Sequence, residues 1–271
     1  MSSAADVLIV GAGIAGCEAA WRCAASGLDV VVVTSSLDTV YNLASDAASL
    51  VAPPGSLMEL VTRAIVPGPR GVRSWDLHRG VKYTLEATAG IHLVQSTVAT
   101  LLLDAAGAVV GAATWEGVDR LAGMTALCVG SFLRARLRTG SVTETQGRLS
   151  EMAYDDLYQY LLGKDFAFVP VRFAGQPHGG SLAYVVESVA LASQERTASA
   201  AEVPSAALWR VPGLFAAGVC VMPPVPGPSA AEVGYEEAAR QGMALADELV
   251  ARAGSGSGGV GTRFSVAGDL L

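Results

Sequence analysis

Between Val7 and Gly27 the chain reads VLIVGAGIAGCEAAWRCAASG, and this stretch restricts the architecture more than any other. A short apolar run, Val7 to Val10, ends in Gly11, Gly13 and Gly16, and small and apolar residues follow as far as Ser26 and Gly27. The order is strand, tight turn, helix, with the glycines spaced G-x-G-x-x-G. Gly11 permits the turn, Gly13 lets the backbone approach a pyrophosphate, and Gly16 lets helix and strand pack closely. The free N–H groups at the helix start then face an anion. That end effect is worth only about 0.3–1 kcal/mol when exposed, so the turn positions a ligand more than it holds one. Asp29 to Val33 (DVVVV) supplies the second parallel strand of a βαβ unit. The expectation is a dinucleotide site. The competing reading is a glycine turn that packs and binds nothing.

A simple NAD or FAD site carries an Asp or Glu at the end of its second strand to hold the ribose hydroxyls. Here Thr34, Ser35 and Ser36 stand there, able to hydrogen-bond a ribose but without charge, and no arginine is present to read a 2′-phosphate. The missing acid lowers the NAD reading.

The 271 residues suffice for one large domain, or one domain with an insertion, and 51% hydrophobic against 16% charged residues fits a well-buried core. No uninterrupted apolar run reaches the roughly 18–20 residues of a membrane span. The start, MSSAADVLIV, lacks a basic n-region, so neither a membrane segment nor a signal peptide is expected. Cys17, Cys23, Cys128 and Cys220 form no CxxC pair and no metal spacing, which favours reduced thiols, a cytoplasmic protein and no metal. A net charge of −7 argues against a large standalone nucleic-acid surface, with a local basic patch left open.

Along the chain, Leu37 to Pro54 reads as a loop with short helical pieces, Leu57 to Ala64 as a short helix and Pro67 to Arg73 as a turn. Ser74 to Gly90 reads as a helix, and its His78 is more readily a surface or core residue than a ligand. Ile91 to Val94, Val98 to Leu103 and Val109 to Trp115 read as strands. A further turn leads to Ala126 to Val129, so the expectation is a β-meander followed by a return to the central sheet. Gly130 and Ser131 follow the returning strand, where backbone can approach a cofactor. Arg134, Arg136 and Arg138 are either a solvated basic face or a grip on phosphate or an acidic ligand. Ser141 to Pro204 is the least legible part. Tyr154 to Leu162 looks helical, with aromatics spaced for a core, and Phe166 to Phe173 and part of Ser181 to Val203 suit strands. His178 to Gly180 suggest a mobile loop, with His178 a weak catalytic base. Leu208 to Gly218 reads as turn, strand and glycine, and Val219 to Ala231 as a stiff proline-rich loop. Gly234 to Val250 (GYEEAARQGMALADELV) is an amphipathic helix with Glu236 and Glu237 in its first turn. A Gly/Ser-rich tail, 253–271, is expected to be flexible.

Four separated segments resemble the FAD-binding part of the GidA/MnmG family, flavoproteins that modify the wobble uridine of tRNA. They are VLIVGAGIAGCEAA, TSSLDT, ALCVGSFLRARLRTG, and GLFAAG followed by GYEEAARQGMALA. The likeness covers most of residues 6–140 and 208–250 and suits a compact GidA-related protein. It implies an α/β, Rossmann-like FAD-binding fold with a central parallel sheet and a β-meander, plus a small insertion. Residues 1–140 and 205–252 would form a discontinuous FAD domain, and 141–204 the insertion. Gly11, Ala12, Gly13, Ile14, Ala15 and Gly16 would hold the FAD pyrophosphate, and Thr34, Ser35 and Ser36 would lie near the adenosine ribose. Val98 would offer backbone to the adenine, and Gly130 and Ser131 would line the cofactor. Gly218 and a helix start at Gly234, Tyr235 and Glu236 would approach the ribityl chain and flavin ring, where a helix N-terminus would stabilise a reduced flavin.

Departures from the family qualify this. Ser45 stands where the family has a reactive cysteine, and serine is a far poorer nucleophile at neutral pH. Cys220, near the expected flavin, is a weak redox candidate, with a buried inert thiol preferred. The nicotinamide-handling insertion is reduced, and the helical C-terminal region that serves tRNA and partner proteins is absent from this sequence. The expected function is therefore an FAD-dependent oxidoreductase, with NADH or NADPH as electron donor. A partner protein would supply any contact with tRNA, and a homodimer is compatible with this reading. The alternatives are a non-catalytic FAD-binding module or sensor, and an ordinary NAD(P)-dependent dehydrogenase.

Overall fold

A computed structural model describes residues 4–43, 46–148, 151–175, 184–192, 208, 211–221 and 230–256. Five strands form the parallel heart of the protein in the order β3–β2–β1–β6–β11: β1 (Ala5–Val10), β2 (Val30–Thr34), β3 (Ile91–Gln95), β6 (Asp119–Leu127) and β11 (Leu214–Ala216). A parallel sheet is covered on both faces, so its strands are nearly continuously apolar. In β1 the alternation decides which residue serves which layer. Val7 and Ile9 enter one core and Leu8 and Val10 the other.

The first layer is helical: α1 (Ile14–Ala25), α3 (Ser74–Ala87) and α5 (Ala230–Gly256). Leu77, Val81 and Leu85 repeat every fourth residue along α3 and are fully buried, whereas Trp75 and Tyr83 are exposed. His78 is a core residue, with Nδ1 2.6 Å from the Val40 carbonyl oxygen. Helices α1 and α5 meet backbone to backbone at Gly242. A Cβ there would lie 2.3 Å from the Ala15 carbonyl oxygen.

The short helix α2 (Leu57–Thr62) is secured at its start by its neighbours. Ser56 caps it: Ser56 Oγ accepts from the Glu59 amide at 2.9 Å, and the Glu59 side chain accepts from the preceding Gly55 amide at 2.7 Å. The buried Glu18 of α1 accepts from the Leu57 and Met58 amides at 2.8 and 2.9 Å and from the Tyr41 hydroxyl at 2.5 Å. Burial raises the Glu18 pKa, although these three donors pull the other way.

On the opposite face lies the meander β4 (Val98–Leu103), β5 (Val109–Thr114) and β6, with α4 (Asp155–Leu162) beneath it. The expected meander is present, but its last strand and the returning central strand are one element. Residues 119–121 of β6 pair antiparallel with β5, and residues 122–127 pair parallel with β1. The polar start, with Asp119 exposed and Arg120 half-buried, lacks the apolar run that betrays a buried strand.

A second, antiparallel sheet has the order β8–β7–β10–β9: β7 (Arg136–Thr139), β8 (Val142–Glu144), β9 (Phe168–Gly175) and β10 (Tyr184–Leu191). Its hairpin β7–β8 escapes a sequence reading because Arg136-Leu-Arg-Thr and Val142-Thr-Glu are mostly exposed and short. Tyr154 ties this part to the rest: its amide donates to Phe132 O at 2.9 Å. Ser45, His178 and the prolines at 223, 224, 226 and 228 lie outside the described residues.

One helix boundary is corrected. Helix α5 begins at Ala230, a full turn before the expected Gly234, and continues to Gly256. The first four amides of a helix are the ones left free. Gly234, Tyr235 and Glu236 come after them, so their N–H groups belong to the helix ladder. Tyr235 is buried, and Glu236 pairs with Arg240.

Among the described residues no helix is long and apolar enough to cross a membrane, and no His/Cys/Asp/Glu cluster could hold a metal.

Candidate cofactor site

The parallel strands end at a common edge, and the chain leaves β1 and β6 there by glycine turns. The Cys128 amide donates to Val10 O at 2.7 Å, and the Gly11 amide to Val33 O at 2.7 Å, so the three strand ends are locked together. Gly11 has φ +104°, and a Cβ on it would lie 2.4 Å from the Cys128 carbonyl oxygen. Only glycine fits. A Cβ on Gly16 would lie 2.0 Å from Gly11 O, so helix α1 sits directly on the turn. Gly13 behaves oppositely: its backbone is ordinary, φ −75° and ψ −172°, and a Cβ there meets nothing within 4 Å. Two glycines serve the fold and the third faces empty space at the N-cap of α1.

That space belongs to an open cleft of about 470 Å³, part of it continuous with bulk solvent. Gly11, Ala12 and Gly13 form its floor, Thr34 and Ser35 one wall, and Cys128, Val129 and Gly130 another. Thr34 Oγ1 donates to Ser36 O at 3.2 Å, and Ser36 Oγ caps the 3₁₀ turn Leu37–Thr39 by accepting from the Asp38 amide at 3.1 Å. The remaining boundary comes from residues that the sequence did not single out as site residues: Thr39, Asn42, Phe132, Arg148, Glu151 and Tyr154. Tyr154 is hydrogen-bonded to Ser35, and burial pushes its phenol up to about 12 despite that bond. Arg148 is held by Glu151 at 2.8 Å through both Nε and Nη2, and its guanidinium lies 5.6 Å from the centre of the Phe132 ring. Burial works against the Arg148 charge, but Glu151 beside it more than compensates and raises its pKa. No local pattern marks Arg148, whose pair with Glu151 lies in the chain between β8 and α4.

The arginines that the sequence did single out lie elsewhere. Arg136 is bound in both donors by Asp155, at 3.0 and 2.9 Å, Arg134 lies 5.9 Å from the Tyr158 ring, and Arg138 is exposed. Ile14, Ala15 and Gly16 stand behind the cleft floor in α1, Val98 is buried at the start of β4, and Ser131 follows Gly130 half-buried. Gly218, with φ +83°, has its amide bonded to Gln241 Oε1 of α5 at 2.9 Å. Cys220 is fully buried, and its thiol donates to the Leu127 and Ala217 carbonyls at 3.3 Å each. Cys17, Cys23 and Cys128 are buried as well. Burial raises their thiol pKa values, that of Cys23 to about 12.

A ligand for this cleft must lie against bare backbone at Gly13 and against helix N–H groups, as a dinucleotide's diphosphate does. The residues fit such a group. Fold and cleft together define a protein of the FAD-binding α/β class, with a parallel sheet, a meander and a smaller antiparallel sheet.

Within that class the chain belongs to the family of glucose inhibited division protein A, whose model matches residues 6–61 and 70–176. The GidA-related protein from Thermus thermophilus is 37% identical and superposes with a TM-score of 0.77 over 92% of this chain and 100% of that one. GidA of Aquifex aeolicus shares the fold, with a TM-score of 0.74 at 14% identity over 93% of this chain and 64% of that one. The tRNA uridine 5-carboxymethylaminomethyl modification enzyme MnmG of Chlamydia felis is 32% identical over 197 residues, 64% of this chain and 32% of that protein. The chain thus spans about a third of the length of the curated relatives it matches.

Proposed function

We propose that the chain binds FAD in this cleft and acts as an FAD-dependent oxidoreductase of the cytoplasm. The observation that carries the reading is the open space over Gly13, framed by two glycines that cannot be replaced for reasons of fold. Gly11 to Gly16 would hold the diphosphate, and Thr34 and Ser35 the ribose. Gly130 would line the cofactor, with Ser131 beside it, and Val98 would offer backbone at the adenine end. Gly218, Gly234, Tyr235 and Glu236 would stand toward the flavin end, where the amides that could stabilise charge are those at the start of α5 near Ala230. When bound, FAD supplies the redox chemistry at its ring, and the protein supplies orientation and electrostatics. Tyr154, pinned to Ser35 and to Phe132, keeps the cleft wall in place. The discontinuous cofactor domain, 1–140 and 205–252, would then carry residues 141–204 as an insertion.

NADH or NADPH is the electron donor of this reading. The name of the Chlamydia felis relative attaches tRNA uridine modification to that enzyme, and for this chain we place tRNA contact in a partner protein, given the net charge of −7. The second reading, a cofactor-holding module without catalysis, is favoured by the burial of all four cysteines, which leaves no exposed thiol for covalent chemistry.

The test is an absorbance spectrum of the purified protein, with chromatography of what heat releases. FAD at one per chain, bleached anaerobically by NADH or NADPH, supports the oxidoreductase. FAD that no nicotinamide reduces supports the module. Colourless protein that fails to take up added FAD refutes both.

A further inference from the structure

We propose that Arg148 binds the diphosphate of the bound dinucleotide, so that the cleft takes a nucleoside diphosphate in strong preference to the bare nucleoside; this rests on the cofactor reading above. Among the described residues lining the cleft Arg148 is the only cation. It comes to the cleft from the chain between β8 and α4, and its side chain is only 20% exposed. Of the guanidinium's five N–H groups, two are engaged by Glu151 in a fork. The others have one backbone carbonyl between them, Asn42 O, at 3.5 and 3.4 Å. Those distances are at the outer limit of a hydrogen bond. A largely buried cation of the cleft lining thus has, at its Nη edge, only a weak neutral partner from another lining residue, Asn42, one that anionic phosphate oxygens would replace with charge-assisted bonds.

The surroundings hold the fork in that attitude. The Phe132 ring beneath the guanidinium packs against two glycines. A Cβ on Gly147 would lie 2.0 Å from the ring, and one on Gly130 3.3 Å from it. Glu151 fixes the opposite edge, so little rotamer freedom remains to be lost on binding. The helix N-terminus and Arg148 would then act on the same anion from two sides of the cleft.

The experiment measures FAD, ADP and adenosine binding to the full chain by calorimetry, after removal of bound flavin, for wild type, Arg148→Met and Arg148→Gln. Wild type should bind ADP much more tightly than adenosine. Arg148→Met should weaken ADP by about tenfold or more and leave adenosine within about twofold, with the thermal midpoint of the apoprotein showing that the variant is folded. Arg148→Gln, which keeps an N–H donor but not the charge, should weaken ADP in the same sense. Equal losses on ADP and adenosine, or no loss on ADP, in folded Arg148→Met would overturn the inference while leaving the cofactor reading intact. If Arg148→Met does not fold, the same outcomes are read from Arg148→Gln. Wild type that binds none of the three would instead overturn the cofactor reading itself.

Discussion

Gly13 and Gly16 are separated by one turn of helix, and alanine at the two positions should have opposite consequences. At Gly13 the backbone lies in an extended region open to any residue, and the new Cβ touches nothing within 4 Å. Alanine is a somewhat poorer N-cap than glycine, while the loss of unfolded-state freedom is worth about 0.4–1 kcal/mol in the other direction. Apoprotein stability should therefore change by no more than about 0.5 kcal/mol, a shift of roughly 1–2 °C at this chain length. The same methyl intrudes where the diphosphate must approach, and overpacking of about 1–3 kcal/mol corresponds to a loss of FAD affinity of roughly 5- to 150-fold. At Gly16 the Cβ would fall 2.0 Å from the Gly11 carbonyl oxygen, so helix or turn must move, at a similar cost to the fold itself. Both variants should be melted after flavin removal, because bound FAD itself stabilises the native state, and FAD affinity should be read by quenching of flavin fluorescence. A Gly13→Ala protein that keeps wild-type FAD affinity, or one that melts as early as Gly16→Ala, refutes the assignment of Gly13 to ligand and Gly16 to packing.

Gly242→Ala should cost about 1–3 kcal/mol in urea unfolding, since its methyl would meet the Ala15 backbone 2.3 Å away and prise α5 from α1. Glu18 has its pKa raised in the folded state, so the native protein holds its proton more tightly than the unfolded chain does. The stabilisation linked to that proton is complete below the ordinary carboxylate range and is lost as pH rises through the raised pKa. Measured against Glu18→Gln, wild-type stability should fall across that window, and a difference constant with pH would contradict this. Arg136→Ala breaks a half-exposed pair with Asp155, which should cost at most about 1 kcal/mol and leave FAD content unchanged, because the pair lies outside the cleft. All four thiols are buried, so a colorimetric thiol titration at pH 8 should register them only on unfolding; rapid reaction of a single thiol in native protein would reopen the case for Cys220.

The part of this architecture legible in the sequence is the part governed by short-range rules. In β1, α1 and β2 the apolar run, the glycine spacing and the β-branched strand all point the same way, and the structure follows them to within a residue or two. Strand β6 was half visible: the run Ala126 to Val129 reads as a strand and overlaps its buried end, but Asp119 and Arg120 need a neighbour, β5, to become one. The hairpin β7–β8 hid for the same reason. The spacing of glycines 11, 13 and 16 already suggests separate roles, but the atoms that close in the first and third, Cys128 O and Gly11 O, are set by the fold. Arg148 could not be preferred over Arg134, Arg136 or Arg138 by local pattern. Its place depends on Asn42 and Phe132, which meet it only through the tertiary fold.

Because a single strand, β6, is at once the edge of the meander and an inner member of the parallel sheet, those two parts have no joint between them. Its exit is bolted to β1 by the Cys128–Val10 bond, which fixes Gly11 and Gly130 as opposite jaws of constant separation. The second sheet has no strand in common with this frame. It is attached through the chain after Gly130, through the Leu133–Tyr154 bridge and through Leu191, whose amide donates to Cys220 O at 2.7 Å. The glycine side of the cleft is thus part of the parallel sheet itself, whereas Arg148 and Tyr154 come to the cleft from the chain that links the two sheets.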